Sequence, residues 1–182
     1  MSKMEGIDQL LNKMESLIKV TTESKLPGIL DRANKGIIQA AAKMECPVRE
    51  VGGGGELRNS IKTSIEQRGS KVIATTYTSK RYAAYVEFGT GPVGQENHEG
   101  VTPEFTPSYS QHGWGIPADE VDEADAERYG WQKRTYSGKD YYMTSGQAAH
   151  PFMYPALKNN EAKVARRVNS SLRRAIRKAV KK

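Results

Sequence analysis

The middle of the chain carries the sequence YAAYVEFGTG, residues 82–91, which lies between two segments with β-strand patterns. As a strand it would place Ala84, Val86 and Phe88 on one face. As a short helix it would end at Gly89, because glycine commonly stops a helix at its C-terminal end. We predict the helix, and a helix set between strand segments indicates an α+β fold.

Two segments on either side of this stretch have the pattern of β-hairpins. Within residues 60–78, Ile61, Thr63 and Ile65 alternate with polar residues, residues 68–70 supply a turn, and residues 72–77 are rich in β-formers. Residues 131–136 and 139–144 flank a Ser-Gly turn at 137–138, which indicates a second hairpin. The sequence therefore predicts a small, mostly antiparallel sheet.

The first 45 residues have the periodicity of helices. Apolar side chains recur every three or four residues over 7–18 and again over 26–44. The second stripe consists of Leu26, Ile29, Leu30, Ala33, Ile37, Ala41 and Met44. Pro27 lies between the two runs, and it either begins a second helix or kinks a single long one. Pro47 should end the helical structure. We predict an N-terminal helical arm over residues 1–45.

The C-terminal segment holds most of the positive charge of the chain. Residues 158–182 contain ten Lys or Arg and one acid, so this segment is +9 within a net charge of +7. Every fourth residue from Val164 to Val180 is apolar, which predicts a basic amphipathic helix after Pro155. Its charge suits an acidic protein surface, nucleic acid or only water. The candidate assembly or DNA contacts are Arg166, Arg167, Arg173, Arg174, Arg177 and Lys178.

Between these elements lies a core, residues 46–157, with a long excursion at about 92–129. The excursion is rich in Pro, Gly, Ser and Thr over 91–118. It continues into six acids within 119–127, which lack the ligand spacing of a calcium loop and indicate a solvated segment or a surface for a basic partner. Four consecutive glycines at 52–55 predict a loose connection.

The sequence contains few candidate catalytic or metal-binding residues. The three histidines and the single cysteine, Cys46, form no metal-binding or nucleophile motif, and one cysteine cannot make an internal disulfide. Glu87 lies among apolar neighbours, and a buried carboxylate needs partners. We interpret it as a ligand of backbone donors or of an arginine, with a catalytic acid as the alternative. The sequence predicts no catalytic set, no cofactor and no metal, and no segment is long and apolar enough to span a membrane.

Three segments carry a resemblance to a known family: LRNSI at 57–61, YAAYVEFGTG at 82–91 and GQAAHPFMYPAL at 146–157. In this order and separation they resemble the neck, or head–tail joining, proteins of long-tailed bacteriophages, also described as tail-completion or minor tail components. The resemblance covers about residues 47–157. This chain departs from the family where glycines replace an Asp-Thr-Gly-like turn before Leu57. The positions that match the family motifs are Leu57, Arg58, Ser60, Tyr82, Glu87, Phe88, Gly89, Pro151, Phe152 and Pro155.

The resemblance implies a structural, non-enzymatic role at the junction between phage head and tail. It implies assembly with other copies in a ring and with adjacent head-closing and tail proteins, with packaged DNA as a further partner that the basic helix would suit. It places the protein in the virion, and in the host cytoplasm during assembly. The alternative from another class is a nucleic-acid-binding module that acts through the basic helix.

Overall fold

The computed structural model describes residues 2–19, 25–48, 54–69 and 71–180. The chain divides into two compact units, one formed by Met1–Lys80 with Pro155–Lys182 and the other by Arg81–Tyr154. The fold is α+β, as predicted. The division into an arm (1–45), a core (46–157) and a basic helix (158–182) stays a prediction.

The N-terminal region is helical, which confirms the expectation from its periodicity. Helix α1 spans Ser2–Lys19 and α2 spans Leu26–Ala33; a π-helical segment, Asn34–Gln39, then leads directly into α3, Ala40–Glu45. Pro27 lies in the first turn of α2, so it begins a second helix, at a position where its missing N–H is no loss. The backbone is extended at Cys46, directly before Pro47.

The π-helical segment changes which side chains are buried in the continuous helical stretch formed by α2, the π-helical segment and α3, which we call the π-helical rod. The apolar pattern predicted one stripe through Ile37, Ala41 and Met44, but the buried residues are Ile38 and Ala42, while Met44 is 81% exposed. The wider π turn closes one residue later than an α turn, and the inward face therefore advances by about one position. The stripe was predicted correctly up to Ala33 and wrongly beyond it.

The apolar stripe of α1 is largely uncovered. Ile7, Leu11 and Met14 are 58%, 52% and 50% exposed. The side chains of Leu10 and Ile18, which belong to the same predicted stripe, lie outside the described residues.

The first predicted hairpin is confirmed. Helix α4, Glu56–Ser60, precedes strands β1, Lys62–Arg68, and β2, Lys71–Tyr77, which pair antiparallel from Lys62↔Tyr77 to Arg68↔Lys71. The strands contact α2 and the π-helical segment. Ser70 of the predicted turn, and the first two glycines of 52–55, lie outside the described residues.

The unit Arg81–Tyr154 begins with two short helices. Helix α5 spans Ala83–Phe88, which confirms the helical prediction for this stretch, and α6 spans Gly91–Glu96. The backbone leaves α5 through Gly89 with φ +74°, a left-handed angle that glycine adopts at little cost.

A three-stranded antiparallel sheet completes this unit. Strand β3 spans Trp114–Pro117 and is followed by a 3₁₀ turn, Ala118–Glu120, and by α7, Glu123–Arg128; strands β4, Gln132–Tyr136, and β5, Lys139–Thr144, form the second predicted hairpin. The order is β3-β5-β4. The antiparallel prediction is confirmed, but the strands form two separate sheets rather than one.

The predicted excursion at 92–129 is thus partly regular structure. Its α6 and α7 are short helices, and β3 pairs along its length with β5, from Trp114↔Thr144 to Pro117↔Tyr141. A four-residue strand that contains glycine and proline has little local pattern of its own. Its partner lies far along the chain, so the periodicity of residues 114–117 could not reveal it.

The chain closes with α8, Met153–Lys158, and α9, Glu161–Val180. The final helix was expected to begin after Pro155, but α8 begins two residues before this proline. Pro155 fits there because it lies in the first turn, where its N–H would have no intrahelical partner. None of the described helices is long and apolar enough to cross a membrane.

Candidate functional site

Two of the family segments meet within the unit Arg81–Tyr154, although about 60 residues separate them. Thr90 and Gln147 form an antiparallel bridge, in which Thr90 N donates to Gln147 O at 2.9 Å and Gln147 N donates to Thr90 O at 3.2 Å. Gln147 Nε2 also donates to Tyr85 O at 2.9 Å, and His150 N donates to Val86 O at 2.8 Å. We call this arrangement of residues 82–91 with 146–154 the motif junction.

Glu87 lies at the centre of the motif junction and binds backbone donors. Its Oε2 accepts hydrogen bonds from Phe152 N at 2.8 Å and Met153 N at 2.9 Å, and its Oε1 accepts one from Tyr154 N at 3.0 Å. The residue is 6% exposed. These amides belong to the first turn of α8 and have no intrahelical acceptor. One side chain from α5 therefore caps a helix that begins 66 residues later, as we interpreted it from the sequence.

Glycines allow the two segments of the motif junction to approach closely. Gly146 has φ +101°, and a Cβ added there would collide with the carbonyl oxygen of Thr90. At Gly89 an added Cβ would lie 2.8 Å from Ala149 N and from Gln147 O. Any side chain at these positions would push the paired backbones apart.

We therefore expect Gly146→Ala to lower the free energy of unfolding by about 2–3 kcal/mol, since strain in the left-handed region alone costs about 1–3 kcal/mol and the collision adds to it. Urea denaturation of the purified protein measures the change. Gly130→Ala is the matched control: Gly130 also has a positive φ, +65°, but has open space around its Cβ position. Equal losses in the two variants would show that the close approach at Thr90 contributes nothing.

Part of the excursion folds back onto the motif junction. Phe105 packs on Phe88 with ring centroids 4.9 Å apart, and Tyr109 Oη donates to Phe88 O at 2.8 Å. Burial raises the pKa of Tyr109 further above neutrality. A groove of about 790 Å³ lies here, lined by these aromatic residues and by Tyr82, Tyr85 and Trp114.

The remaining motif positions near the junction are partly or fully covered. Tyr82 is 42% exposed, whereas Phe152 is fully buried. Pro151 and Pro155 are half-buried.

The first family segment, on α4, lies in the other unit. Leu57 is 6% exposed and Ile61 1%. Arg58 Nη2 donates to Cys46 O at 3.3 Å, and Ser60 Oγ donates to Leu57 O at 2.7 Å. The Arg58 contact ties the short helix to the end of α3, and the Ser60 contact lies within α4.

The cations predicted as contacts lie exposed along α9. Within the described part of the chain, none of these six residues forms an ion pair with a carboxylate; the pairs there lie elsewhere, such as Lys158 with Glu161 at 3.7 Å. Val164, Val168 and Leu172 are half-buried, and α9 contacts α2, the π-helical segment and α1. The helix packs by its apolar stripe and presents its charge to solvent.

The basic helix forms one wall of a cationic cleft of about 450 Å³ against α2. Its cations are Arg167 and Arg174 from α9, with Lys25 and Arg32 from the α2 region. The sequence analysis missed Lys25 and Arg32, because isolated basic residues on an amphipathic helix carry no local pattern. Only the packing of two helices that are distant in sequence brings the four together.

The described residues contain no cluster of His, Cys, Asp or Glu suited to a metal ion. Cys46 is 1% exposed, as expected for a small apolar residue at a helix end. The carboxylate of Glu87 is occupied by backbone amides. The features described here are the capped start of α8 at the motif junction and the exposed charged surface of α9.

A family model described as "Bacteriophage HK97-gp10, putative tail-component" matches residues 8–89, about 45% of the chain. The match includes two of the three motif segments, 57–61 and most of 82–91, and the third segment lies beyond it. The resemblance to phage neck and tail proteins is thereby confirmed, and the match supports a structural role in a phage particle. No curated protein and no solved structure shows significant similarity to the chain.

Proposed function

From the match of residues 8–89 to a family of phage tail components, we propose that this protein is a structural component of the junction between phage head and tail. It joins the head-closing proteins to the tail, as one copy in a ring that contacts both neighbours. It acts in the virion and assembles in the host cytoplasm.

The observation that carries the proposal is the hydrogen bonding of Glu87. This buried acid within the family motif accepts three backbone hydrogen bonds, so it stabilises the start of a helix. A carboxylate occupied in this way is poorly placed to transfer protons to a substrate, because each oxygen already binds amide hydrogens at 2.8–3.0 Å. This supports a scaffold rather than an enzyme.

A joining protein also needs surfaces that remain open after folding. The exposed cations of α9 and the exposed acids of 119–127 are two such surfaces of opposite charge. A contact between two different patches on successive copies builds a ring when the rotation closes. This charge arrangement supports assembly with copies of the same chain and with adjacent ring proteins.

A nucleic-acid-binding module is the second candidate. Arg166, Arg173 and Arg177 lie on one side of α9 at spacings of seven and four residues, all exposed. A row of this kind can follow phosphates. The absence of aromatic residues from α9 gives no platform for stacking bases, which favours the joining role.

A phage that lacks this gene should fill its heads with DNA yet release separate heads and tails. Electron microscopy of the lysate counts the two kinds of particle, and expression of the intact chain in the host should restore joined virions. Empty heads, or a failure to replicate the genome, would instead support the nucleic-acid-handling role. Joined virions without the protein would contradict both.

A further inference from the structure

The cleft between α2 and α9 has a chemistry that the joining role alone does not explain. Four cations line it, and no carboxylate does; the remaining lining residues are Gly28, Ile29, Ser171 and Ala175. Within the described residues, none of the four cations forms an ion pair. Concentrating like charges around one recess is unfavourable unless an anion occupies it.

The cations stand in two facing rows. Lys25 and Arg32 are seven residues apart at α2, and so are Arg167 and Arg174 on α9. Seven residues of helix advance roughly 10 Å, so each row spans two turns. The Arg32 guanidinium lies over Gly28, where an added Cβ would be 3.6 Å from Nη1. The absence of a side chain at Gly28 leaves room for the anion between the rows.

We propose that this cationic cleft binds the acidic segment 119–127 of a second copy of the chain. The proposal rests on the proposed function in one respect, namely that copies assemble with one another. The segment has six acids within nine residues, and Asp119, Glu120, Glu123 and Glu127 are exposed. Arginine suits this contact, because its planar guanidinium can bind a carboxylate through two hydrogen bonds.

The geometry of the cleft favours carboxylates of a protein over nucleic acid. Helices packed against each other lie about 8–10 Å apart, so the recess between α2 and α9 is too narrow for a duplex to enter. No aromatic side chain lines it, so a single strand would find no stacking surface. Acidic side chains on a short surface turn, in contrast, can reach between the two rows.

The contact joins two different surfaces, so each copy offers a cleft to one neighbour and an acidic segment to the other. Such an interface propagates from copy to copy and closes into a ring or continues as a filament. The test is therefore the self-association of the full chain, measured by analytical ultracentrifugation at low and at physiological salt.

Reversing the α9 row with Arg167→Glu and Arg174→Glu should weaken self-association roughly tenfold or more. The matched control is Lys62→Glu with Lys71→Glu, which makes the same change of net charge at two exposed positions of β1 and β2 in the same unit, outside the cleft. This control should associate almost as the unaltered chain does. Circular dichroism and thermal unfolding verify that both variants are folded.

Reversing two acids with Glu120→Lys and Glu127→Lys should weaken association to a similar degree. An equimolar mixture of this variant with the Arg167→Glu/Arg174→Glu variant should recover it, because each altered cleft then meets an altered segment. If the control pair weakened self-association equally, overall charge would explain the effect, and the proposal would be overturned. So would failure of the mixture to associate, or a cleft variant that loses duplex DNA binding while its self-association is unchanged.

These measurements use purified protein and no phage. Loss of association in the cleft variant, together with joined virions from the phage that lacks the gene, would support the cleft contact and contradict the joining role. The reverse pattern would contradict the cleft alone.

Discussion

Replacing Phe152 by Ala should lower the free energy of unfolding by about 3–5 kcal/mol, the range for truncating a buried phenylalanine. Phe152 has 0% exposure and is among the largest fully buried side chains. It also stands at the start of α8, where its N–H binds Glu87. The substitution therefore removes apolar contacts and leaves a cavity beside the cap. The expected fall in melting temperature is roughly 6–20 °C.

The control for Phe152→Ala is Leu157→Ala, which removes a large apolar side chain from the same family segment. Leu157 is 50% exposed, so Leu157→Ala should lower the free energy of unfolding by much less than Phe152→Ala does. An unchanged melting temperature for Phe152→Ala would mean that the ring does not stabilise this corner. Thermal unfolding followed by circular dichroism distinguishes the two outcomes.

Replacing Glu87 by Ala should cost about 3–5 kcal/mol, because it leaves three buried or half-buried backbone N–H groups without their acceptor. Glu87→Gln should cost less, about 1–3 kcal/mol. Its single amide oxygen can still serve the two donors at Oε2, but its NH₂ group would then face the N–H of Tyr154. Urea denaturation gives the order Ala, then Gln, then the unaltered chain.

Hydrogen exchange tests whether the Glu87 variants lose stability at the start of α8. The amides of residues 152–154 should exchange slowly in the unaltered chain and faster in both variants. Glu96→Gln is the control, since Glu96 is an exposed acid on α6 in the same unit. A Glu87→Gln protein that unfolds normally and protects these amides, yet loses an enzymatic turnover present in the unaltered chain, would make Glu87 a catalytic residue.

The hairpins show what a sequence can predict by itself. In the second hairpin, Ser137 and Gly138 both have positive φ, 48° and 76°, as a two-residue turn between twisted strands requires. The turn and the two strands are neighbours in sequence, so the two-residue turn fixes the register from Gln132↔Met143 to Tyr136↔Lys139. The periodicity of α9 and the break at Pro47 were equally local.

The motif junction could be predicted only in part from the local sequence pattern. The surroundings of Glu87 predicted that a carboxylate among apolar residues needs partners, and backbone donors were among those expected. The particular donors at 152–154 depend on folding the chain over the excursion. In the same way, β3 became a strand only through its pairing with β5.

The sequence alone determined the N-terminal helices, α5, α9, the two hairpins, the segregation of charge and the family resemblance, because each depends on residues close together along the chain or on their identities. Tertiary structure decided the face of the π-helical rod that is buried, the capping of α8 by Glu87, and the assembly of the cationic cleft. Lys25 and Arg32 lie more than 130 residues from Arg167 and Arg174. Contacts across such separations arise from packing that compensates the entropy of closing long loops, and no periodicity within one segment encodes them.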